Sequence, residues 1–296
     1  MEYQSIEVRP VTPTIGAEIF GVELGSAISN QQFDDIHTAL LEHVVIFFRD
    51  QKMTPEQHKD FGRRFGKLHM HPASPNLVDG HPEILLIKAD QNSKRVAGEV
   101  WHSDVSCDAE PPMGSILYML EPPSNGGGDT MFANMYTAYD TLSESVKRFL
   151  EGLTAVHDGE HVYRGRYQYT KDPNKVFPRS AHPVVRTHPE TGRKALYVNR
   201  IFTRRIVGMY ELQSRHLLNL LYEHCTAPEF QARFQWRQGA IAVWDNRCTL
   251  HYPVHDYNAP RVMWRVSVEG SGPLAGASTK RTSAKSDRNR SASTVG

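Results

Sequence analysis

Residues 240–268 read AIAVWDNRCTLHYPVHDYNAPRVMWRVSV, and this stretch decides the fold. It begins with an apolar run, residues 240–244, and ends with residues 262–268, where apolar side chains alternate with others. Alternation with a period of two is typical of a β-strand that buries one face. A turn over residues 256–260 precedes the second run. We therefore predict two strands here, the second of which begins directly after the turn.

Further short strands and several helices are predicted outside this stretch. Ser29 and Thr54 are N-cap residue types, and they predict helices that run to about residues 42 and 65. Two more helical stretches cover residues 143–150 and 211–223. The remaining strand candidates are residues 44–48, 84–87, 115–120, 130–133 and 195–198. Short strands between glycine and proline turns, without regular alternation with helices, favour a jelly-roll or barrel with helices packed outside it.

The composition is that of an ordinary globular protein. The 296 residues are 39% hydrophobic and 23% charged, and the net charge is +1, so we expect neither a nucleic acid nor a membrane as partner. The N-terminus has no apolar signal core, and the longest apolar runs are too short to span a bilayer. Three cysteines without paired spacing indicate a reducing compartment, and we predict a cytoplasmic protein.

The composition changes once, near the C-terminus. After residue 270 the chain consists mostly of Gly, Ser, Ala, Thr, Lys and Arg. A segment with so little apolar surface to bury is typical of a disordered tail. We predict one domain over residues 1–270 and a disordered polar and basic tail over residues 271–296.

A candidate metal site begins in the sequence EVWHSD, residues 99–104. In an extended strand His102 and Asp104 project from the same face, so both can bind one ion. His251, which follows the apolar run 240–244, supplies a third ligand. Two histidines and one carboxylate on one face of an octahedron leave three positions open, as in non-haem iron(II) oxygenases. A lone His-x-Asp pair also occurs as a hydrogen-bonded pair on surface strands, so the assignment depends on neighbouring features.

A second histidine pair, His69 and His71, allows other interpretations. With His251 or His255, this pair would form an all-nitrogen site suited to zinc or copper. A metal-dependent hydrolase that uses His69, His71 and a carboxylate is therefore the rival enzyme class. A non-catalytic jelly-roll binding protein without metal is a further alternative. In the simplest case, one imidazole packs structurally while the other faces a pocket.

Two arginines follow His251 on the last predicted strand. Arg261 begins this strand, and Arg265 faces the same side four residues later. A keto acid that chelates iron needs its distant carboxylate held, and a guanidinium can hold it with two charge-assisted hydrogen bonds. Arg265 is placed to hold a second anion. The glycine-rich turn before Thr130 either places the hydroxyl of Thr130 or is only a flexible hairpin.

These segments resemble the TauD/TfdA family of iron(II)/2-oxoglutarate-dependent dioxygenases. The matching stretches, in order between about residues 10 and 270, are FGKLHMHP, WHSDVS, GGGDT, HPVVRTHPETGRKALYVN, WDNRCTLHY and RVMWR. The resemblance implies an α+β fold with a double-stranded β-helix (jelly-roll) core and surrounding helices. It implies that His102, Asp104 and His251 bind iron(II), and that Thr130 and Arg261 bind 2-oxoglutarate.

The resemblance also implies the reaction. Iron(II), 2-oxoglutarate and O2 hydroxylate a small anionic substrate and release succinate and CO2. If the hydroxylated carbon carries a sulfonate or an ether oxygen, the product collapses to a carbonyl compound plus sulfite or alcohol. His71 and Arg265 would bind the substrate anion, and Phe202 would pack on its alkyl part. A homo-oligomer, dimer or tetramer, is the expected assembly.

Three positions depart from the family pattern. Ser74, a candidate substrate-binding residue, replaces an aromatic residue with a hydroxyl group, Gly98 replaces an asparagine, and Gly159 replaces an aromatic residue. The anion anchor is retained, whereas the pocket around it differs. The substrate class therefore stays open between sulfonates, alkyl sulfates and phenoxyalkanoates. Residues 160–179, rich in Tyr, Arg and Lys, are predicted to form a mobile lid over the site.

Overall fold

The computed structural model describes residues 3–90, 93 and 98–275. In chain order, the strands are β1 (Glu7–Pro10), β2 (Ala17–Phe20), β3 (Val45–Phe48), β4 (Leu77–Val78), β5 (His81–Ala89), β6 (Gly114–Glu121), β7 (Thr130–Asn134), β8 (Thr154–Asp158), β9 (Arg179–Pro183), β10 (Val185–Thr187), β11 (Lys194–Leu196), β12 (Thr203–Ile206), β13 (Gln231–Phe234), β14 (Ile241–Asp245), β15 (Thr249–Pro253), β16 (Arg261–Val268) and β17 (Leu274–Ala275). The helices are α1 (Asn30–His43), α2 (Pro55–Phe65), α3 (Met135–Asp140), α4 (Glu144–Leu150) and α5 (Glu211–Cys225), with a π-helix over His161–Arg166 and a 3-10 helix over Pro228–Phe230.

The largest sheet has eight strands in the order β1-β2-β3-β14-β6-β16-β5-β4. Its central strands pair antiparallel, and every residue of β3 and β14 is buried. In β3, Ile46 and Phe48 face one apolar cluster, while Val45 and Phe47 face another. The sheet is thus covered on both faces, which explains why β3 and β14 are continuous apolar runs in the sequence.

A smaller sheet, in the order β13-β7-β15, packs on the inner face of the large one. Phe47 of β3 stacks on Phe234 of β13 with ring centroids 4.0 Å apart, and Phe132 of β7 lies 5.7 Å from Trp244 of β14. These rings fill the space between the two sheets. The predicted α+β fold with a jelly-roll core is confirmed.

Helices α1 and α2 cover the outer face of the large sheet, as predicted. Both begin with a capping box, in which Ser29 or Thr54 and the glutamine three residues later satisfy each other's backbone N–H groups. From α1, Ile36 and Leu40 are fully buried in the outer cluster beside Phe48. The burial of this apolar stripe holds the helix on the sheet.

Several elements were not predicted. Helix α3, the π-helix and strands β8, β9, β10, β12, β13 and β15 are too short or too irregular to show a clear period. They build two further sheets, β12-β8-β9 and β11-β10-β17, beside the core, and complete the smaller one. Of the predicted tail over residues 271–296, residues 271–275 are described and include strand β17, which pairs with β10, so this part is not disordered. The rest of the tail, from residue 276 onward, lies outside the described residues. The single domain over residues 1–270 stays a prediction. Within the described ranges, none of the helices combines the length and the apolar character needed to cross a bilayer.

Candidate metal centre and substrate pocket

Two of the predicted metal ligands meet through their backbones. The N–H of His102 donates to the carbonyl of His251 over 3.0 Å, and the N–H of His251 donates to the carbonyl of His102 over 2.8 Å. His251 lies on β15 in the smaller sheet. The segment around His102 is not the extended strand that we predicted, because His102 makes only an isolated bridge and residues 104–107 form a turn.

Hydrogen bonds to Asp104 hold the turn in place. The backbone N–H of Asp104 donates to Oδ1 of Asn246 over 2.7 Å, and the backbone carbonyl of Asp104 accepts from Nδ2 of Asn246 over 2.9 Å. In the carboxylate, Oδ2 accepts from the hydroxyl of Ser115 over 2.8 Å and Oδ1 from Nη1 of Arg265 over 2.5 Å. Burial alone raises the pKa of Asp104, but the Arg265 guanidinium helps to outweigh burial, so the pKa is lowered. Asp104 is therefore a carboxylate at neutral pH.

Both imidazoles direct Nε2 toward this carboxylate. Nε2 of His102 lies 3.8 Å from Oδ1 of Asp104, and Nε2 of His251 lies 3.9 Å from the same atom. Nδ1 of His102 donates to the carbonyl of Val100 over 2.8 Å, which leaves the Nε2 lone pair available. The pKa values of both histidines are lowered by burial, so both rings are neutral. Two neutral imidazoles and one carboxylate suit a divalent transition metal with open positions.

The imidazole of His251 is buried at 6% exposure, and its Nδ1 has no hydrogen-bond partner in the described part of the chain. The ring directs its other nitrogen, Nε2, toward Asp104. An ion between His102, Asp104 and His251 would bind the ring at Nε2.

A second group of potential metal ligands consists of His188, Asp245 and Cys248. Nδ1 of His188 accepts from two backbone N–H groups, over 3.3 and 3.1 Å, and its Nε2 donates to Oδ2 of Asp245 over 2.9 Å. Arg247 binds both carboxylate oxygens of Asp245, over 2.8 and 2.6 Å. Burial raises the pKa of the Cys248 thiol, which stays protonated. The histidine and the carboxylate are already used by the protein, so this group is structural.

Arg261 and Thr130 line the same cavity as the three candidate ligands. Arg261 is 3% exposed, donates from Nη2 to the carbonyl of Gly128 over 3.0 Å, and forms no ion pair with any described residue. Burial lowers its pKa. The hydroxyl oxygen of Thr130 accepts from the indole N–H of Trp236 over 2.9 Å, so its own proton can be donated elsewhere. A buried guanidinium without a counter-charge and a free hydroxyl donor suit a carboxylate ligand.

His71, Arg265 and Phe202 line the cavity as well. Nδ1 of His71 accepts from the backbone N–H groups of Ala73 and Ser74, over 3.2 and 2.9 Å, so its proton resides on Nε2. Burial, with a contribution from Arg265, lowers the pKa of His71 to about 3. A neutral His71 and a charged Arg265 together can donate to an anion. The side chain of Ser74 is not among those that line the cavity, and its hydroxyl oxygen accepts from a nearby backbone N–H.

His69 does not join His71 in a metal site. Its Nε2 lies 3.2 Å from Oδ2 of Asp108, and His69 is in neither of the two ligand groups found among the described residues. The two histidines therefore have different roles: His69 pairs with an aspartate outside the cavity, and His71 faces the cavity.

The family model described as taurine catabolism dioxygenase TauD, TfdA family matches residues 7–267, which is most of the chain. The chain belongs to the TauD/TfdA family.

Relatives within the family agree with this assignment. An alkylsulfatase from Acinetobacter baylyi is 38% identical over 279 residues, which cover 90% of this chain and 86% of the relative. An alpha-ketoglutarate-dependent sulfate ester dioxygenase from Pseudomonas putida is 37% identical over 281 residues, 91% of each chain. A solved taurine dioxygenase from Burkholderia xenovorans matches with a TM-score of 0.79 and 38% identity over 92% of each chain.

The protein is thus a 2-oxoglutarate-dependent dioxygenase that uses iron(II), 2-oxoglutarate and O2. The alternative of a metal-dependent hydrolase with His69 and His71 is wrong, and so is that of a non-catalytic jelly-roll binding protein.

Gly98 is required by its close approach to His102. Its φ is +82°, and a Cβ at this position would lie 2.6 Å from Cε1 of the His102 ring. The asparagine expected here from the family pattern would place its Cβ against the His102 ring in this position. The backbone N–H of Gly98 instead donates to the hydroxyl of Tyr167 over 2.7 Å.

Other residues of the site could not be found from the sequence. Asn246 and Ser115 both hold Asp104 by hydrogen bonds. Asn246 lies far from Asp104 in the sequence, and Ser115 lies on strand β6, which has no distinctive motif. Tyr163, Tyr167 and Tyr169 line the cavity from the segment predicted as a lid. The abundance of tyrosine in that segment was the available signal, whereas its mobility stays a prediction.

Proposed function

We propose that this TauD/TfdA dioxygenase hydroxylates a small organic anion of the alkyl sulfate, sulfonate or phenoxyalkanoate type. The observation that carries the proposal is the presence of two arginines, the buried Arg261 and the partly buried Arg265, in the cavity that contains the three candidate metal ligands. One guanidinium serves the 2-oxoglutarate carboxylate and the other serves the anionic substrate. The names of two relatives, an alkylsulfatase and a sulfate ester dioxygenase, favour sulfate esters among these anions.

His102, Asp104 and His251 would hold the iron. When bound, iron with 2-oxoglutarate supplies O2 activation, in which one oxygen atom enters succinate and the other enters a C–H bond of the substrate. The protein keeps the two imidazoles neutral by burial and keeps Asp104 charged through Arg265 and Ser115. The ligand set is therefore ready to bind a cation at neutral pH.

Arg261 and Thr130 would bind the distal carboxylate of 2-oxoglutarate. Arg261 presents an unpartnered Nε from a buried position without an ion-pair partner in the described chain, and Thr130 adds a hydroxyl donor. Because the site is shielded from water, a paired carboxylate there is held more strongly than at the surface.

Arg265 and His71 would bind the substrate head group, with Phe202 against the hydrocarbon part. Arg265 contacts Asp104 directly, so a head group bound by Arg265 lies beside the metal site. This places the carbon next to the head group nearest the reacting centre, which is the positional contribution expected of the protein. Hydroxylation of a carbon that bears a sulfate ester oxygen yields an aldehyde and sulfate, and a carbon that bears a sulfonate yields an aldehyde and sulfite.

The test is a substrate panel with the iron-loaded enzyme. Alkyl sulfates, alkyl sulfonates, taurine and phenoxyalkanoates are supplied with 2-oxoglutarate, and succinate and the carbonyl product are both quantified. We expect equimolar succinate and carbonyl product for at least one anionic class, and no coupled product for the matching neutral alcohols. Coupled turnover of the neutral compounds at the same rate would contradict the proposal.

Two further properties belong to the proposal. We propose a homo-oligomer, a dimer or tetramer, because α5 exposes Leu212 and Leu220 at 58% and 52%. Light scattering after gel filtration tests this, and a monomer would contradict it.

We also propose a cytoplasmic location, which agrees with three buried free cysteines. Cell fractionation tests the location.

A further inference from the structure

Three tyrosine rings form a row along the cavity. Tyr163 and Tyr169 stack with centroids 6.1 Å apart, and Tyr167 and Tyr169 stack at 5.3 Å. At one end, Tyr163 lies edge-on to His71 at 5.6 Å, and at the other, Tyr167 accepts the hydrogen bond from Gly98. The row thus connects the residues that would hold the substrate anion with the loop that touches His102.

The ring of Tyr163 is held firmly within this row. It is 2% exposed and contacts the rings of Phe177 at 5.4 Å and Phe202 at 6.0 Å. The Cys107 thiol approaches its hydroxyl at 3.9 Å. The backbone N–H of Tyr163 donates to the carbonyl of Gly159 over 2.8 Å. A ring packed on several sides cannot turn aside for a ligand without disrupting its neighbours.

Gly159 makes room for this ring. A Cβ at residue 159 would lie 3.0 Å from Cε2 of Tyr163, 3.1 Å from Sγ of Cys107 and 2.9 Å from the carbonyl of Pro178. A side chain at this position would therefore push against Tyr163. The ring of Tyr163, which belongs to the π-helix His161–Arg166, occupies the space beside the backbone of Gly159.

The rest of the cavity wall determines the kind of group that Tyr163 would meet. Among the described residues that line the cavity, Asp104 is the single carboxylate, and it serves the metal site. Several other lining side chains are aliphatic, namely Leu85, Ile87, Val105, Leu117 and Ile201. An uncharged hydrocarbon fits this wall, whereas a buried ammonium group would have no free counter-charge.

We infer that Tyr163, admitted by Gly159, is a specificity-determining residue that limits the width of the substrate's hydrocarbon part to an unbranched chain. The inference rests on the proposed function, since it concerns the same site and an anionic substrate held by Arg265 and His71. The ring stands between the head-group site and Phe202, so a chain that leaves the head group passes along it. A branched or cyclic group at the first carbons collides with the ring, so among the proposed anions the inference favours alkyl sulfates and sulfonates over phenoxyalkanoates.

The experiment compares two substrates with one head group, the class that the panel identifies, bearing either n-hexyl or cyclohexylmethyl. The measured quantity is the ratio of kcat/KM for the cyclic to that for the linear substrate. This ratio does not depend on the fraction of active enzyme. Tyr163→Leu should raise the ratio about tenfold, because removing a few carbon atoms from the wall of a pocket changes discrimination between substrates by about this factor. Tyr163→Phe is the matched control, which keeps the ring and should leave the ratio within about twofold.

Gly159→Ala supplies a test of opposite sign and covers the case in which Tyr163→Leu does not fold. Its methyl group pushes the ring toward the cavity, so the ratio should fall below the wild-type value. An unchanged ratio in a folded Tyr163→Leu or Gly159→Ala enzyme overturns the inference while the proposed function stands. A wild-type enzyme that turns over no anionic compound overturns the proposed function, and the inference falls with it.

Discussion

In the part of the chain that the structure describes, two buried groups contain histidine and aspartate, and they differ in what their atoms already bind. In one, His102 and His251 direct Nε2 atoms toward Asp104 at 3.8 and 3.9 Å. In the other, His188 donates to Asp245, whose two carboxylate oxygens are taken by an arginine. In both groups, one potential ligand atom from each residue lies within 4.8 Å of the others. The difference shows that the available lone pairs, and not the residue types, distinguish a metal centre from a structural network.

The two groups come close in sequence between Asp245 and His251, and they cooperate in the structure. Asp245 anchors the turn after β14, and the next residue, Asn246, holds the backbone of Asp104 from both sides. Arg247 extends the network to Glu190 over 2.5 Å. The structural group therefore supports the turn that positions one ligand of the metal group, much as partners behind the ligands do in other metal sites.

The largest effect is expected from Asp104→Ala. Loss of the only carboxylate of the metal group should abolish iron binding and reduce succinate formation to background, because two imidazoles alone hold iron(II) weakly. Iron content after gel filtration and single-turnover succinate release measure this. Undiminished turnover would remove Asp104 from the metal centre.

Arg261→Leu should have the next largest effect. Removal of the buried guanidinium should raise the KM for 2-oxoglutarate by about two orders of magnitude, the usual consequence of losing one partner of a buried charge pair. Iron affinity without 2-oxoglutarate should not change. Arg261→Lys is the matched control and should fall between wild type and Arg261→Leu, since it keeps the charge without the planar fork. An unchanged KM in Arg261→Leu would show that 2-oxoglutarate binds elsewhere.

Asn246→Ala tests the link between the two groups. Asp104 would lose both backbone hydrogen bonds to Asn246, so iron affinity should fall by about 10- to 100-fold. Excess iron should restore much of the turnover, because Asn246 positions a ligand and is not itself one. Wild-type iron affinity would mean that the turn holds Asp104 without Asn246.

His188→Gln should leave the iron affinity of the folded enzyme unchanged, because Arg247 still holds Asp245 and Asn246 still holds the backbone of Asp104. Its cost should appear in the free energy of unfolding, which we expect to fall by about 1–3 kcal/mol through a lost buried hydrogen bond. Denaturant unfolding and an iron titration measure the two quantities separately. A loss of one bound iron per chain would instead make this group a metal centre.

His58, outside both groups, gives the smallest effect, which appears only in acid. Burial lowers its pKa to about 4 from an ordinary value near 6.5. Between these values the unfolded chain binds a proton that the folded chain does not, so stability falls as the pH falls from about 6.5 to 4. Unfolding measured at pH 7.5 and 5.5 should show a smaller decrease in His58→Gln than in wild type. An equal decrease would contradict this contribution.

The strands of the core and the main residues of the site could be predicted because each carries a local signal. Strand β16 alternates with a period of two, and the interpretation of Arg261 and Arg265 as neighbours on one face needed only that period. His102 and Asp104 were interpreted through a strand that does not exist. They come together through hydrogen bonds to His251 and Asn246, more than 140 residues away, which no local pattern contains.

The substrate end was less predictable for a related reason. Ser74 was expected to bind the substrate, yet it acts here through its backbone N–H on His71. Tyr163 enters the cavity from a π-helix, which has neither the period of an α-helix nor that of a strand. The position of the Tyr163 ring depends on residue 159 being a glycine, which has no side chain. The role of Tyr163 could therefore be recognised only from the three-dimensional positions of both residues.

An anaerobic iron(II) titration in the presence of 2-oxoglutarate separates the two groups most directly. We expect one iron per chain and a weak metal-to-ligand charge-transfer band in the visible spectrum. The band should be lost in His251→Ala and retained in His188→Gln. A band that survives in His251→Ala, or that disappears in folded His188→Gln, would contradict the assignment of iron to His102, Asp104 and His251.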